Sequence, residues 1–364
     1  MSVRLGGKSV VYFGLYDARE VPGVHQKVIG VLAAAKAAGF ETRVWAEPFR
    51  TSAPLKRLAA AIDAAVESHI ILRSLGFANL FIAPALWRAR RRGVRLTIDV
   101  ASPNRVAVVE IWTSPQSLWR RVRAVAAFYA SGPWSLWPAS RIVQYAPEGW
   151  WFRIGNGART VQIGNGIDVA ATQPRRHRPP WPAPRLDVVA VATVARWHGY
   201  DRLLQAVREF HDRPSRPFDV HVTVAGEGPA LPLLRERVAA LGLHQHVTFA
   251  GLVTDEGLRA LYESSHVAVS SIGLHRIGLT EASVLKAREY CAIGIPFIAS
   301  GGDPDFPSAL PFRLRIASDD STGDLVRIFE TFDSLYARFD DDAERRYAAD
   351  RLDWRHKLHA FGLG

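Results

Sequence analysis

Short apolar runs alternate with longer amphipathic stretches along most of this chain. The run from Ser9 to Leu15 has the unbroken apolar character of a strand buried on both faces. A loop with Pro22 and Gly23 follows, and the spacing then predicts a helix over 24–38. Gly39 suits a helix C-terminal cap, and 41–46 resumes as a strand. One strand–helix–strand unit of this kind predicts a parallel sheet. A further strand is expected at 94–100, after which 112–151 becomes irregular and rich in aromatic residues, arginine and proline. The segment 174–184 holds five prolines and four basic residues (Arg175, Arg176, His177, Arg178) and reads as a linker. Beyond it the alternation is regular. Strands are expected at 186–194, 219–225, 247–250, 266–270, 296–300 and 312–317, with helices at 201–211, 230–241, 256–264, 283–293 and 323–340. This is the pattern of a doubly wound α/β domain, whose ligands bind at the carboxyl ends of its strands.

A length of 364 residues exceeds what one hydrophobic core usually serves. The expected division is 1–170, 171–345, and a helical segment 346–364 that packs back on the first domain. An apolar fraction of 48% with 22% charged residues fits a globular protein. The single cysteine, Cys291, forms no internal disulfide, and Met1 to Lys8 lacks the character of a signal peptide, so a cytoplasmic location is expected. Charge is uneven. Residues 1–170 carry 22 Lys+Arg against 10 Asp+Glu, a balance of +12, whereas 171–364 carry 24 against 25, a balance of −1. Six of the eleven tryptophans lie between Trp112 and Trp151, inside the basic half.

The densest candidate chemistry lies between Gly278 and Ser300. Glu281 and Glu289 stand eight residues apart, with Lys286 three before the second, and Gly294-Ile-Pro296 then leads into an apolar strand. If all three sat on one helix, they would fall near a common face beside its N-terminus, with Thr280 as the cap. Charges of both signs at such a place suit a ligand bearing phosphates and hydroxyls. The bland alternatives are an ordinary helix glutamate at 289, an ion pair between Lys286 and Glu289, and a first-turn acid at 281. Lys286 is one of only two lysines beyond residue 170, in a chain with 40 arginines and 6 lysines. A lysine kept amid so many arginines points to a need for a compact cation, and phosphate oxygen is its natural partner.

Other motifs precede this one: Gly164-Asn-Gly-Ile-Asp168, Val191-Ala-Thr-Val-Ala-Arg-Trp-His-Gly199, Ala225-Gly-Glu-Gly-Pro229 and Val247 to Val253. In this order and spacing they resemble the donor half of retaining GT-B glycosyltransferases of the group 1 (family 4) type. The resemblance covers about 200 residues, and the run from Gly273 to Tyr290 is similar to the capsular and exopolysaccharide branch. It implies a GT-B fold, with two Rossmann-like domains facing a central cleft, and transfer of a sugar from a nucleotide-sugar donor. It implies no cofactor and no metal. By residue, it implies that Glu289 holds the ribose, Glu281 the sugar side and Lys286 phosphate. Gly226 and Gly228 would let backbone approach the nucleotide, and Leu252 and Val253 would meet the base. The family pattern has an arginine and a lysine where this chain has Thr193 and His198, so the diphosphate clamp is altered. Arg196, in the same loop, is the candidate substitute.

In the first half, Gly23, His25 and Lys27 fill the loop and helix start that the family turns toward diphosphate and acceptor, and Asp99 and Glu110 are further acceptor candidates. Arg88 to Arg95 beside Trp87, and Trp119 to Ala130, mix guanidinium groups with aromatic rings, as an anionic membrane surface requires. A peripheral contact is therefore expected, with a glycan or polyprenyl-linked sugar as acceptor, in cell-surface polysaccharide synthesis. A net charge of +11 also raises nucleic acid as a partner. The basic half has no helix-turn-helix, RRM or zinc pattern, so none is expected. A GT-B epimerase or phosphorylase, and a partner protein that binds a nucleotide sugar without turnover, are the alternatives.

Overall fold

The computed structural model describes residues 7–49, 51–112, 114, 116–307 and 309–364. The chain divides into two compact units. The first runs to Asp168 and takes in Asp353–Gly364, and the second is Val169–Leu352.

The first unit contains β1 (Ser9–Leu15), α1 (Pro22–Ala37), β2 (Glu41–Glu47), α2 (Ala53–Ala64), β3 (His69–Arg73), α3 (Asn79–Arg91) and β4 (Arg95–Val100). It continues with α4 (Asn104–Trp112), α5 (Leu118–Ser131), β5 (Arg141–Gln144), α6 (Trp150–Arg153) and β6 (Thr160–Gln162). All pairings are parallel, in the order β2-β1-β3-β4-β5-β6. Successive residues of β1 face opposite sides and all are buried, since apolar clusters cover both faces of the sheet. Pro22 opens α1, where its missing N–H costs nothing. Gly39 follows the helix with φ +85°, a left-handed turn that a side chain resists.

Residues 353–364 return to this unit. Trp354 is fully buried, and its indole occupies the space a Cβ would need at Gly30 and Gly166, within 2.7 and 2.5 Å of those ideal positions. Thr97 Oγ1 donates to the Phe361 carbonyl at 2.9 Å, and α14 (Leu358–Phe361) closes the chain there. Gly166 therefore has a packing reason for lacking a side chain.

The second unit contains β7 (Arg185–Val191), α7 (Tyr200–His211), β8 (Asp219–Ala225), α8 (Leu231–Ala240), β9 (Val247–Gly251), α9 (Asp255–Ser264) and β10 (Val267–Val269). After these come α10 (Leu285–Ile293), β11 (Phe297–Ser300), β12 (Arg313–Ile316), α11 (Gly323–Glu330), α12 (Phe332–Tyr336) and α13 (Asp341–Tyr347). This sheet is also parallel, in the order β12-β11-β10-β7-β8-β9. The chain steps outward from β7 through β8 to β9, then returns to the other side of β7 as β10. The switch point lies between β7 and β10, and their carboxyl ends open the crevice where such sheets bind ligands.

Three expectations change. The segment 174–184 is no free linker: Arg175 is buried, donating twice to Asp341 and once to the Ser265 carbonyl, and Trp181 packs on Phe218 and Phe332. The second unit extends past 345 because α10 packs on α13 and on residues up to Leu352. The long helix expected over 323–340 is two, α11 and α12, separated at Thr331.

Candidate functional site

The loops after β7, β8, β9 and β10 are locked together at the carboxyl edge of the second sheet. Gly226 N–H donates to the Gly251 carbonyl at 2.6 Å, and Val194 N–H to the Glu227 carbonyl at 2.8 Å. A Cβ on Gly226, at φ +125°, would lie 1.9 Å from the Ala192 carbonyl oxygen. One on Gly228 would lie 2.4 Å from that of Val194. Only glycine lets these two backbones meet. Gly199 (φ +70°) also lies close to Gly273, whose N would stand 2.9 Å from a Cβ on Gly199, and Ile272 N–H donates to the His198 carbonyl at 3.0 Å. Arg276 then fastens the loop after β10: its guanidinium grips Asp201 at 2.7 and 2.9 Å and donates to the Arg196 carbonyl.

Behind this edge lies a tyrosine-lined cluster of polar groups. Lys286 and Glu289 share one face of α10, both partly exposed. Lys286 Nζ donates to Tyr200 Oη at 3.0 Å, and Tyr262 Oη donates to Glu289 Oε1 at 3.0 Å. No ion pair joins Lys286 to Glu289 among the described residues, so each is held by its own tyrosine. Burial pushes the Lys286 ammonium down to about 7, opposed by the charge of Glu289. Burial likewise raises the Glu289 carboxyl, against the pull of the Tyr262 hydrogen bond and of Lys286.

His198 is buried and stacks on Tyr200, with ring centroids 5.5 Å apart. Its Nδ1 accepts from the Ala195 N–H at 3.1 Å. Burial, and then the charge of Lys286, hold the imidazole well below its ordinary range. The ring is therefore neutral with its proton on Nε2, and it supplies no cation where the family pattern has lysine. Thr193 and Arg196 are exposed, and no ion pair holds the Arg196 side chain among the described residues. Leu252, directly after β9, is 77% exposed, and Val253 is half-buried.

Glu281 is placed differently from the expectation. α10 begins at Leu285 with Val284 as its cap, so neither Thr280 nor Glu281 is helical. Glu281 instead forms a parallel bridge with Gly302, where Gly302 N–H donates to the Thr280 carbonyl and Ala282 N–H to that of Gly302. Extended backbone here satisfies peptide groups that a helix would have used internally.

In the first unit, the expected loop residues separate. Gly23 lies in the first turn of α1 with open space where a Cβ would stand, and its φ is unremarkable. His25 Nδ1 meets Tyr16 Oη at 3.3 Å. Lys27 is not available to a ligand as it stands. Its ammonium pairs with Asp99 at 2.9 Å over the Tyr145 ring, with both side chains almost wholly buried. Tyr12 also donates to Asp99. Asp99 is thus part of a buried network, and Glu110, half-buried on α4, has its carboxyl raised by burial.

Residues 185–310 match the family model described as Glycosyl transferases group 1. That stretch is similar to the group 1 glycosyltransferases. It contains β7 to β11 and every second-unit residue named above as a site candidate. Part of the chain is 31% identical over 119 residues to mannosylfructose-phosphate synthase of Agrobacterium fabrum; the match covers 31% of this chain and 25% of that protein. The chain thus spans about a quarter of that curated relative's length. The fold is shared more widely. Sucrose-phosphate synthase from Thermosynechococcus elongatus superimposes with a TM-score of 0.65 at 15% identity, covering 98% of both chains. Anabaena Alr3699/HepE, in complex with UDP-glucose, does so at 0.64 and 14%, covering 96% of this chain and 98% of that one. The chain has the GT-B fold.

Lysine signals titrated by NMR check these electrostatics. One should titrate near 7, from Lys286, and another near 8, where burial sets Lys27 against the pull of Asp99. Lys286→Met should remove the first alone. Because the folded value lies below the unfolded one of about 10.4, a charged Lys286 costs stability below about pH 7, and that cost is relieved as pH rises from about 7 toward the unfolded value. A protein with no lysine titrating below 9 would contradict the buried placement.

Proposed function

We propose that the chain transfers a sugar from a nucleotide-sugar donor, with retention of anomeric configuration, to a glycan or polyprenyl-diphosphate-linked acceptor at an anionic membrane face. Cell-surface polysaccharide synthesis is the setting this reading implies. The observation that carries it is the placement of Glu289, Lys286 and the Gly226–Gly228 turn at one carboxyl edge, within the stretch that matches the group 1 model. Glu289, oriented by Tyr262, accepts from the ribose hydroxyls. The Gly226–Gly228 turn and the backbone at Leu252 and Val253 lie toward nucleoside and base, with Thr193 beside them. Glu281 takes the sugar side. As the bond from the anomeric carbon to the diphosphate breaks, charge develops on the leaving phosphate. Lys286 and Arg196 are the cations offered to it, and the neutral His198 offers a hydrogen bond through Nε2. No metal is needed in this scheme. In the first unit, Gly23 and His25 remain the candidates for the acceptor side.

The membrane part rests on α5. Trp119, Val122, Ala126 and Tyr129 recur at helical spacing and all are exposed, so this helix turns an apolar stripe outward. Arg120 and Arg123 flank it, and Trp119 and Trp150 are 69% and 76% exposed. An apolar stripe edged by guanidinium groups is built to lie in an anionic interface. Among the described residues no helix is long and apolar enough to cross a membrane.

A second reading, a protein that binds the donor without turnover, is favoured by Thr193 and the neutral His198 at the altered clamp. Nucleotide release from donor sugars in the presence of acceptor separates the two.

Glu289→Ala should weaken nucleoside diphosphate binding by about 10- to 100-fold, the worth of charged hydrogen bonds of about 1.5–3 kcal/mol. Calorimetry on the folded variant checks this, and unchanged affinity refutes the ribose assignment. In flotation with phosphatidylglycerol vesicles the wild type should rise with the lipid, and Trp119→Ser/Tyr129→Ser should not. Wild-type protein left at the bottom of the gradient would sink the membrane proposal.

A further inference from the structure

Arg288 neighbours Glu289 in the sequence but points the other way. Its side chain is wholly buried, although it carries a charge whose removal from water costs several kcal/mol unless well paired. The pairing is dense. Its two terminal nitrogens bond both oxygens of Asp303, with Nη2 at 2.6 Å from Oδ1, and Nη2 also reaches Asp305 Oδ2 at 2.6 Å. Nη1 donates as well to the carbonyl of Val284, the residue that caps α10, at 3.3 Å.

The two segments so joined are the ones that hold Glu281. Residues 301–306 follow β11, and 280–284 lead into α10. They meet at the bridge between Glu281 and Gly302. Gly301, at φ +72°, leaves no room for a Cβ, which would stand 2.9 Å from the Thr280 carbonyl. Arg313 secures the far side of the loop, donating to the carbonyls of Gly301 at 2.8 Å and Phe306 at 3.1 Å. Asp305 N–H closes the turn on Asp303 Oδ1 at 3.0 Å. A surface loop with ordinary turn chemistry needs none of this.

We propose that Arg288, Asp303 and Asp305 form a clamp that positions Glu281 against the donor sugar. The inference rests on the sugar-side reading of Glu281 given above. The clamp acts through the Glu281–Gly302 bridge and touches no ligand itself, so these are positioning residues. Glu289 is held independently by Tyr262, and ribose recognition does not depend on the clamp.

The test measures affinities for UDP-glucose and GDP-mannose beside UDP and GDP, by calorimetry. Glu281→Ala should reduce the advantage of the sugar nucleotide over its nucleoside diphosphate by about tenfold, roughly one well-placed charged hydrogen bond. Asp303→Asn should reduce the same ratio similarly and leave UDP or GDP binding within twofold. The double variant should be no worse than Glu281→Ala alone, because the two changes remove one interaction. Asp305→Asn, at the more exposed end of the clamp, should show a smaller loss of the same kind and serves if Asp303→Asn fails to fold. Equal weakening of sugar and sugar-free ligands, additive losses, or an Asp303→Asn ratio like wild type would overturn the clamp. An unchanged ratio in Glu281→Ala, or no binding by any of the four nucleotides to wild type, would instead overturn the donor reading on which it stands.

Discussion

The second unit depends on a contact in which side chains are absent. At Gly226 and Gly228 the turn after β8 lies directly on the backbone of Ala192 and Val194, and at Gly199 and Gly273 the loops after β7 and β10 do the same. These approaches are short enough that a single methyl group would separate them. Everything polar at the edge is placed from this junction. Tyr200 starts α7 immediately after Gly199, and its hydroxyl in turn receives Lys286. A parallel sheet gathers its loops at one end, and glycine at the contact points turns that gathering into a fixed arrangement.

The charges follow from the crowding. Lys286 and Glu289 face one another's fields in a partly dehydrated place, yet each bonds a tyrosine rather than the other. An ion pair would have satisfied both and left neither disposed toward a ligand. Hydrogen bonds with neutral phenols, donated by Lys286 to Tyr200 and accepted by Glu289 from Tyr262, fix the groups without neutralising either charge. Burial keeps His198 neutral, and the charge of Lys286 beside it adds repulsion. Thr193 and the neutral His198 stand where the related pattern uses a pair of cations.

Much of the fold was legible because strands buried on both faces must be continuously apolar, as in β1. Lys286 and Glu289 were legible for a related reason: neighbours on a helix face each other at fixed spacing. Glu281 was misplaced because its backbone partner, Gly302, lies beyond an entire helix and strand. Local spacing carries no trace of that pairing. Lys27 was read as a loop cation for the same reason, its partner Asp99 standing 72 residues away. Asp303 and Asp305, on either side of Pro304, carry no local sign that Arg288 is their counter-charge. A buried-side arginine three residues after Lys286's predecessor on α10 was a usable signal, since an inward charge demands a partner. Tyr200 and Tyr262, which hold Lys286 and Glu289, had no distinguishing pattern at all.

The central claim is that the carboxyl edge of the second sheet receives the nucleotide. Hydrogen–deuterium exchange with and without UDP-glucose or GDP-mannose, whichever binds, tests it most directly. Amides of 226–228, 252–253 and 285–293 should exchange more slowly when the nucleotide sugar is present, while the far ends of β7 and β8 stay unchanged. Protection that spares these segments would contradict the account.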